Sequence, residues 1–461
     1  MKRILAIAGL TWKSAFRYRL FWILAALLGA AVVGLPLLLK DDGTAKGFVQ
    51  ILLTYTLSAV ATLLGIATLW LSCGTLARDI EECQMQMVAV KPIRRWQVWL
   101  GKWLGILGLN ALLLALSGAA IFILLQWRAG HLPPAEQKIL RDEIFVARAS
   151  LKERAPDFQP QIDKDVKLRV AQLEQSGAAD LNMAEIRKQV SEEVIAAHTT
   201  VPPGYGRFWV IDVHTLPQRT QDEPFQVRVK FQTSNPNADV TYDTYWIVGP
   251  PNSSRAATIH EVLPQDSFQE FQVPARLLDD KGRLIIDFFN PNDASMVFPI
   301  EDGFEVLYYE NSFLVNFIRG LLVILCWLAL LAAIGMAAAS QLTFPVAAFV
   351  CMAALLISLS NGTLQTVVDQ GTITTYNSTT GGYGHSLLDP VFVPLFTGAL
   401  KIIKLVESFS PVDFLSTGRS ITWGLLGLAV AQIVLLLGGF FCAVGMILFS
   451  RRELATAQGN T

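Results

Sequence analysis

The chain has 461 residues, a mean hydropathy of +0.42, 52% hydrophobic residues and only 16% charged ones. Soluble domains carry about a quarter charged residues, so the composition excludes a wholly soluble protein and places the chain in the membrane class. The net charge of −1 carries no information about partners, because charge is segregated along the chain; no nucleic-acid partner is expected.

Residues 1–19 are basic, with Lys2, Arg3, Lys13, Arg17 and Arg19 and no acid. Met1, Leu5, Ala8, Trp12 and Phe16 fall on one helical face, and Lys2, Lys13 and Arg17 on the other. That pattern predicts an interfacial amphipathic helix along the membrane. The apolar run Phe21 to Leu39 is too long for the core of a cleavable signal peptide. It reads as the first transmembrane helix, with the N-terminus inside.

About 20 apolar residues span a bilayer. That rule predicts six spans, at about 20–39, 48–73, 100–127, 313–340, 344–361 and 421–449. Trp96, Trp99 and Trp103 recur on one face at the start of the third span and Trp127 closes its far end, as in a helix anchored by aromatic belts. The stretch 362–420, with Pro390, Pro394, Lys401 and Lys404, reads as a re-entrant or interfacial segment on the outer face. The C-terminus, from Arg451-Arg452, is basic and is expected inside.

Between the second and third spans lies a charged loop, Arg78-Asp79-Ile80-Glu81-Glu82 through Lys91-Pro92-Ile93-Arg94-Arg95 to Lys102. Charge flanked by two spans must face water. Its basic excess places it in the cytoplasm. Pro92 is well placed to open a helix at its first turn.

Residues 128–311 form a long polar insert, expected outside. In 135–198 apolar residues recur at helical spacing: Leu140, Ile144, Ala147, Leu151; then Ile162, Val166, Val170, Leu173; then Ile186, Val190, Val194. A helical hairpin and a short third helix are predicted. From Tyr205 the period becomes two. Strands are predicted at Phe208–Val213, Phe225–Phe231, Tyr242–Val248, Thr258–Leu263, Phe268–Val273, Leu284–Phe289 and Phe304–Tyr309, with turn chemistry between them. The fold class is a mainly α membrane protein of six transmembrane helices with an extracytoplasmic α+β insert. The insert combines a helical hairpin with an antiparallel, jelly-roll-like β-sandwich. The domains are 1–127 (amphipathic helix and spans one to three), 128–204 (helical region), 205–311 (sandwich) and 312–461 (spans four to six).

The five cysteines are Cys73, Cys83, Cys326, Cys351 and Cys442. None falls in the insert, so no disulfide framework is expected there, and no CxxC metal pair occurs. His198, His214 and His260 show no ligand spacing, and neither metal nor cofactor is expected. Tyr242, Tyr245, Trp246 and Trp209 could stack on a sugar or fill the core. No phosphate loop, HExxH or GxSxG occurs, so the chain is not read as an enzyme. The spans hold almost no ionisable residues, which disfavours an ion-coupled transporter. Thr54, Ser58, Thr62, Asn110, Ser117, Asn316 and Gln432, and the Gly101/Gly105 pair, could line a path or dimer seam, or pack helices.

The amphipathic N-terminus, the six spans, the charged 78–102 loop and the terminal Arg-Arg-Glu-Leu-Ala together resemble an ABC-2 type permease of the NosY-like group. The resemblance covers 1–127 and 312–461 and leaves the insert unexplained. It implies the transmembrane subunit of an ATP-driven exporter in the cell membrane. It further implies a separate ABC ATPase in the cytoplasm and a homodimer or heterodimer of permeases. Arg78, Glu81, Glu82, Lys91, Pro92, Arg94 and Arg95 would couple to the ATPase. The alternative is a membrane-anchored extracytoplasmic scaffold that recognises carbohydrate or envelope components.

Overall fold

Helical spacing dominates both ends of the sequence and strand spacing its middle, and the structure, a computed structural model, follows that division. It describes residues 2–17, 19–38, 44–82, 93–140, 145–153, 156–175, 183–214, 216, 224–234, 240–250, 253, 255–279, 281–300, 302–374, 376–377, 382–383, 386 and 388–452. Two units form, Met1–Ala147 with Asn311–Thr461, and Arg148–Glu310.

In chain order the first elements are α1 (Lys2–Arg17), α2 (Arg19–Leu38), α3 (Ala45–Glu81), α4 (Arg95–Ala129) and α5 (Pro134–Ile139). Then come β1 (Val146–Leu151), α6 (Gln159–Gln175), α7 (Met183–Thr199), β2 (Thr200–Val201), β3 (Gly206–Asp212), β4 (Phe225–Val229) and β5 (Gln232–Thr233). They are followed by β6 (Thr241–Val248), β7 (Ala257–Pro264), β8 (Gln269–Val273), β9 (Arg283–Phe289), β10 (Met296–Val297) and β11 (Phe304–Ser312). The chain closes with α8 (Phe313–Ala339), α9 (Phe344–Leu359), α10 (Asn361–Gln370), a short hairpin (Tyr376–Asn377 with Gly382–Tyr383), α11 (Asp389–Glu407) and α12 (Pro411–Ser416). The last helix runs from α13 (Trp423–Ala429) through a π-helical stretch (Val430–Gly438) into α14 (Gly439–Arg451).

In the helical unit, α3 starts at Thr44, whose Oγ1 accepts from the Gly47 amide at 3.0 Å. This cap meets one of the donors a helix start leaves unpaired. Leu53, Leu57, Val60 and Leu64 recur at helical spacing on its buried face, in one core with Leu109 and Leu113 of α4 and Phe317 and Ile324 of α8. Among the described residues four helices are long and apolar enough to cross a bilayer, and six spans result if each of two bent pairs counts as one.

One bent pair falls on the fifth expected span. The expected span 344–361 is α9 and α10, bent by 73° at their break. The sixteen residues of α9 reach about 24 Å, short of a ~30 Å hydrocarbon core. Ser360-Asn361-Gly362 at the break are residues that compete poorly for helix, and Ser360 Oγ bonds back to Leu356 O at 3.1 Å.

α1 keeps most of the expected face and adds to it. Ala8, Trp12 and Phe16 are half-buried, as are Ile4 and Ile7; Thr11 and Ala15 are buried, while Leu5 is exposed. The reason lies in α4. A Cβ on Gly101 would sit 2.8 Å from Ile7 Cβ, and one on Gly105 2.7 Å from Thr11 Cβ. Trp12 Nε1 donates to Gly105 O at 2.8 Å. The Gly101/Gly105 pair therefore packs α1, by close backbone approach.

In the second unit, two four-stranded sheets, ordered β1-β11-β4-β8 and β3-β9-β6-β7, share one core, beside a small β2-β10-β5 sheet. The pairings β11/β4, β4/β8, β3/β9, β9/β6 and β6/β7 are antiparallel. β6 alternates exposed and buried along its whole length, as a half-buried strand must. Trp209 of β3 stacks on Phe304 of β11 at 4.3 Å, joining the two sheets. The hairpin α6/α7 buries Ile162, Val166, Ile186, Val190 and Val194, with Val170 and Leu173 packed against them, the positions its spacing predicts. The helix expected from Leu140 through Ala147 to Leu151 does not form. α5 stops at Ile139, Ile144 lies outside the described residues, and Ala147 and Leu151 belong to β1. Pairing beside β11 overrides a spacing that small residues specify weakly.

Candidate functional site

The residues singled out by the sequence lie where α3 ends and α4 begins; Lys91 and Pro92 fall outside the described residues. The segment is less of a loop than expected, because α3 runs on to Glu81 and α4 starts at Arg95. The start of α4 is set by Arg94, whose amide donates to Gln97 Oε1 at 3.2 Å.

Four segments far apart in the chain meet here, and charge ties them together. Glu81 Oε1 accepts from the Phe344 amide, at the first turn of α9, at 2.8 Å. Arg78 lies 4.4 Å over the Phe344 ring, which Trp70 meets edge-on at 5.1 Å. Arg95 Nη1 donates to the carbonyls of Phe449, Ser450 and Arg452, at the end of α14, at 3.2, 2.7 and 2.9 Å. Arg452 Nη1 donates to Ser340 O at 3.2 Å, and Gln341 Nε2 to Leu448 O at 2.9 Å. Glu81 and Arg95 each sit at a helix end of opposite partial charge: the carboxylate at the amino end of α9, the guanidinium at the carboxyl end of α14. Glu82 and Arg94 are exposed beside this cluster.

Deeper in, Lys102 is 6% exposed. Its Nζ donates to Thr75 O at 2.7 Å and to Asp79 Oδ2. By sequence these two charges count as loop residues; in the structure they join α3 to α4. The tryptophan belt expected on α4 is also revised. Trp99 is fully buried and Trp103 Nε1 donates to Ala329 O at 3.0 Å, whereas Trp96 is exposed.

The expectation of spans nearly free of ionisable groups is corrected too. Besides Lys102, Arg319 of α8 is buried, donating from Nη1 to Ile421 O at 2.9 Å and lying 4.5 Å over Trp423. Asn316 beside it donates to Arg419 O at 2.8 Å and accepts from the Ile421 amide at 2.7 Å. Asn110 donates to Thr68 Oγ1 at 2.8 Å. Ser58 and Thr62 instead lie on the exposed stripe of α3 with Tyr55, Ile66 and Trp70.

In the strand-rich unit, Trp209, Tyr242 and Trp246 are core residues, so only Tyr245 of the four aromatic candidates is exposed. It stacks on His260 at 4.5 Å, which Asp243 holds at 2.8 Å. Among the described residues no cluster of three or more metal-ligating side chains occurs.

No family model, curated protein or solved structure matches the chain.

Proposed function

We propose that the chain is the permease subunit of an ATP-driven exporter of the ABC-2 type. It works in the cell membrane as a homodimer or heterodimer with a separate cytoplasmic ATPase. On this reading the strand-rich unit is an extracytoplasmic, jelly-roll-like domain, and the chain performs no chemistry of its own. One observation carries the proposal: the 78–102 region ties α3, α4, α9 and α14 at one end through Glu81, Arg78, Arg95 and Lys102. A force applied to the segment between Glu82 and Arg94 would move those helix ends together, as a rigid body. Glu82 and Arg94, exposed beside the cluster, are the side chains that would meet the ATPase. The hydroxyl-bearing stripe of α3 would face the substrate path or the second permease.

The test is purification of the tagged full chain from its host in mild detergent. A stoichiometric P-loop ATPase that leaves when Glu82→Lys and Arg94→Glu are combined supports the reading; a chain that purifies alone contradicts it.

A second reading, a membrane-anchored carbohydrate binder, draws on the outer face of the β3-β9-β6-β7 sheet. Tyr205, Phe208, Tyr245 and Phe289 are 67, 67, 37 and 44% exposed. Phe208 and Asp287 lie opposite one another in the register. Aromatic rings beside a carboxylate suit the apolar faces and hydroxyls of a sugar. Glycan binding by the full chain, lost in Tyr245→Ala with ATPase association retained, would favour it.

A further inference from the structure

A cavity of about 30 Å³ opens in the strand-rich unit between β3, the end of α7 and the chain after β10. At roughly 10–15 Å³ per water it has room for about two. Arg207 and Trp209 of β3, His198 of α7, Lys152, Glu153 and Phe304 line it. Arg207 is the polar centre. Its side chain is 15% exposed, and the guanidinium lies 4.8 Å over Trp209. Nη2 is 3.3 Å from His198 Nε2 and 3.7 Å from Glu153 Oε2. Nη1 is buried and has no hydrogen-bond partner among the described residues. A buried guanidinium N–H without an acceptor is costly, and guanidinium geometry matches a carboxylate.

We propose that this cavity binds the carboxylate group of a small organic acid, with Arg207 Nη1 as the principal donor. Three features define the ligand. The buried Nη1 is a donor on a charged guanidinium, which an anionic acceptor satisfies. The planar guanidinium matches the two oxygens of a carboxylate. Trp209 and Phe304, stacked at 4.3 Å, offer an apolar wall to the carbon next to the carboxylate. Glu153 fixes the guanidinium, and His198 Nε2, against Nη2, reports occupancy. The site lies within one unit and stands independently of the exporter reading.

The experiment uses the full chain in mild detergent with ¹³C-labelled histidine side chains, His198→Gln identifying the His198 resonance. Acetate is titrated against chloride at matched ionic strength, then inorganic phosphate. A saturable shift of the His198 signal with acetate alone is expected. Arg207→Lys should weaken it about tenfold, the loss of a charge-assisted fork contact. Lys152→Gln, at an exposed position, should weaken it a few-fold. The other four histidine signals serve as the fold control, and Lys152→Gln keeps the test open if Arg207→Lys disturbs them. No saturable shift with acetate, an equal shift with chloride or phosphate, or unchanged affinity in Lys152→Gln and a folded Arg207→Lys would overturn the proposal.

Discussion

The two units hold their charges in different ways. In the helical unit the partners are helix ends: Glu81 takes an amide of α9 and Arg95 takes three carbonyls at the end of α14. In the sandwich the partners are other side chains. Arg228 of β4 lies opposite Glu305 of β11 and Glu270 of β8 in the register. Its guanidinium reaches them at 3.2 and 2.7 Å, and Arg148 reaches Glu270 at 3.3 Å. The difference follows from the backbone. Each helix end leaves four N–H or C=O groups unpaired, whereas strands within a sheet spend theirs on the ladder. A charge among helix ends finds backbone to bind, as Lys102 does at Thr75 O beside its ion pair with Asp79; a charge inside the sheet is met by counter-charges.

Removing one charge from each unit tests that contrast. The largest effect is expected from Arg228→Met, which removes a guanidinium partner of Glu305, a fully buried carboxylate. About 3–5 kcal/mol of stability should be lost from the sandwich, read by pulse proteolysis of the full chain in denaturant. A loss below about 1 kcal/mol would show that the ladder is not a closed charge system. Lys102→Met should cost less, about 1–3 kcal/mol, because the Asp79 side chain is 31% exposed and can rehydrate. Adding Asp79→Asn should restore most of it in a thermal melt in detergent, the signature of a coupled pair.

Smaller again is Glu81→Ala, which removes a cap and should cost about 1 kcal/mol. The local readout is faster hydrogen exchange at Phe344 and in the first turn of α9, larger there than at the end of α14; unchanged exchange at Phe344 would show that Glu81 does not hold the start of α9. The smallest effect belongs to His198. Burial first, then the Arg207 charge, holds its imidazole below the usual 6.5, with Glu153 pulling the other way. The unfolded chain therefore takes up a proton that the folded one refuses, and stability falls as pH drops below about 6.5, levelling off beneath the lowered folded value. His198→Gln should flatten that slope in melts between pH 7 and 5; an unchanged slope assigns it to other groups.

Much of the fold is legible in the sequence where one periodicity acts alone. Strict alternation marks β4, apolar runs bounded by turn residues mark β3, β6 and β9, and i, i+3/i+4 spacing marks the α6/α7 hairpin down to Ile162 and Val194. β1 was hidden because Ala147, Ala149 and Ser150 carry no strong period and owe their strand to β11. The part of α1's buried face added by Ile7 and Thr11 was hidden because glycines almost a hundred residues away choose it. The candidate site was legible as charge and not as structure. Its position between two apolar segments is plain, but the partners of Arg78, Glu81 and Arg95 lie on segments remote in sequence, and most are backbone atoms, which no side-chain motif announces. Arg319 was masked by the apolar run around it.

The exporter reading stands on sidedness, since a soluble motor can act on Glu82 and Arg94 only if they face a different compartment from the sandwich. Single cysteines at Arg94 and at Thr258 of β7, placed in a chain freed of its native cysteines, would be probed with a membrane-impermeant thiol reagent. Right-side-out and inverted vesicles of the host membrane give the two arms. Labelling of Thr258→Cys only in the first and Arg94→Cys only in the second is the expected result; labelling of both in the same vesicles would contradict it.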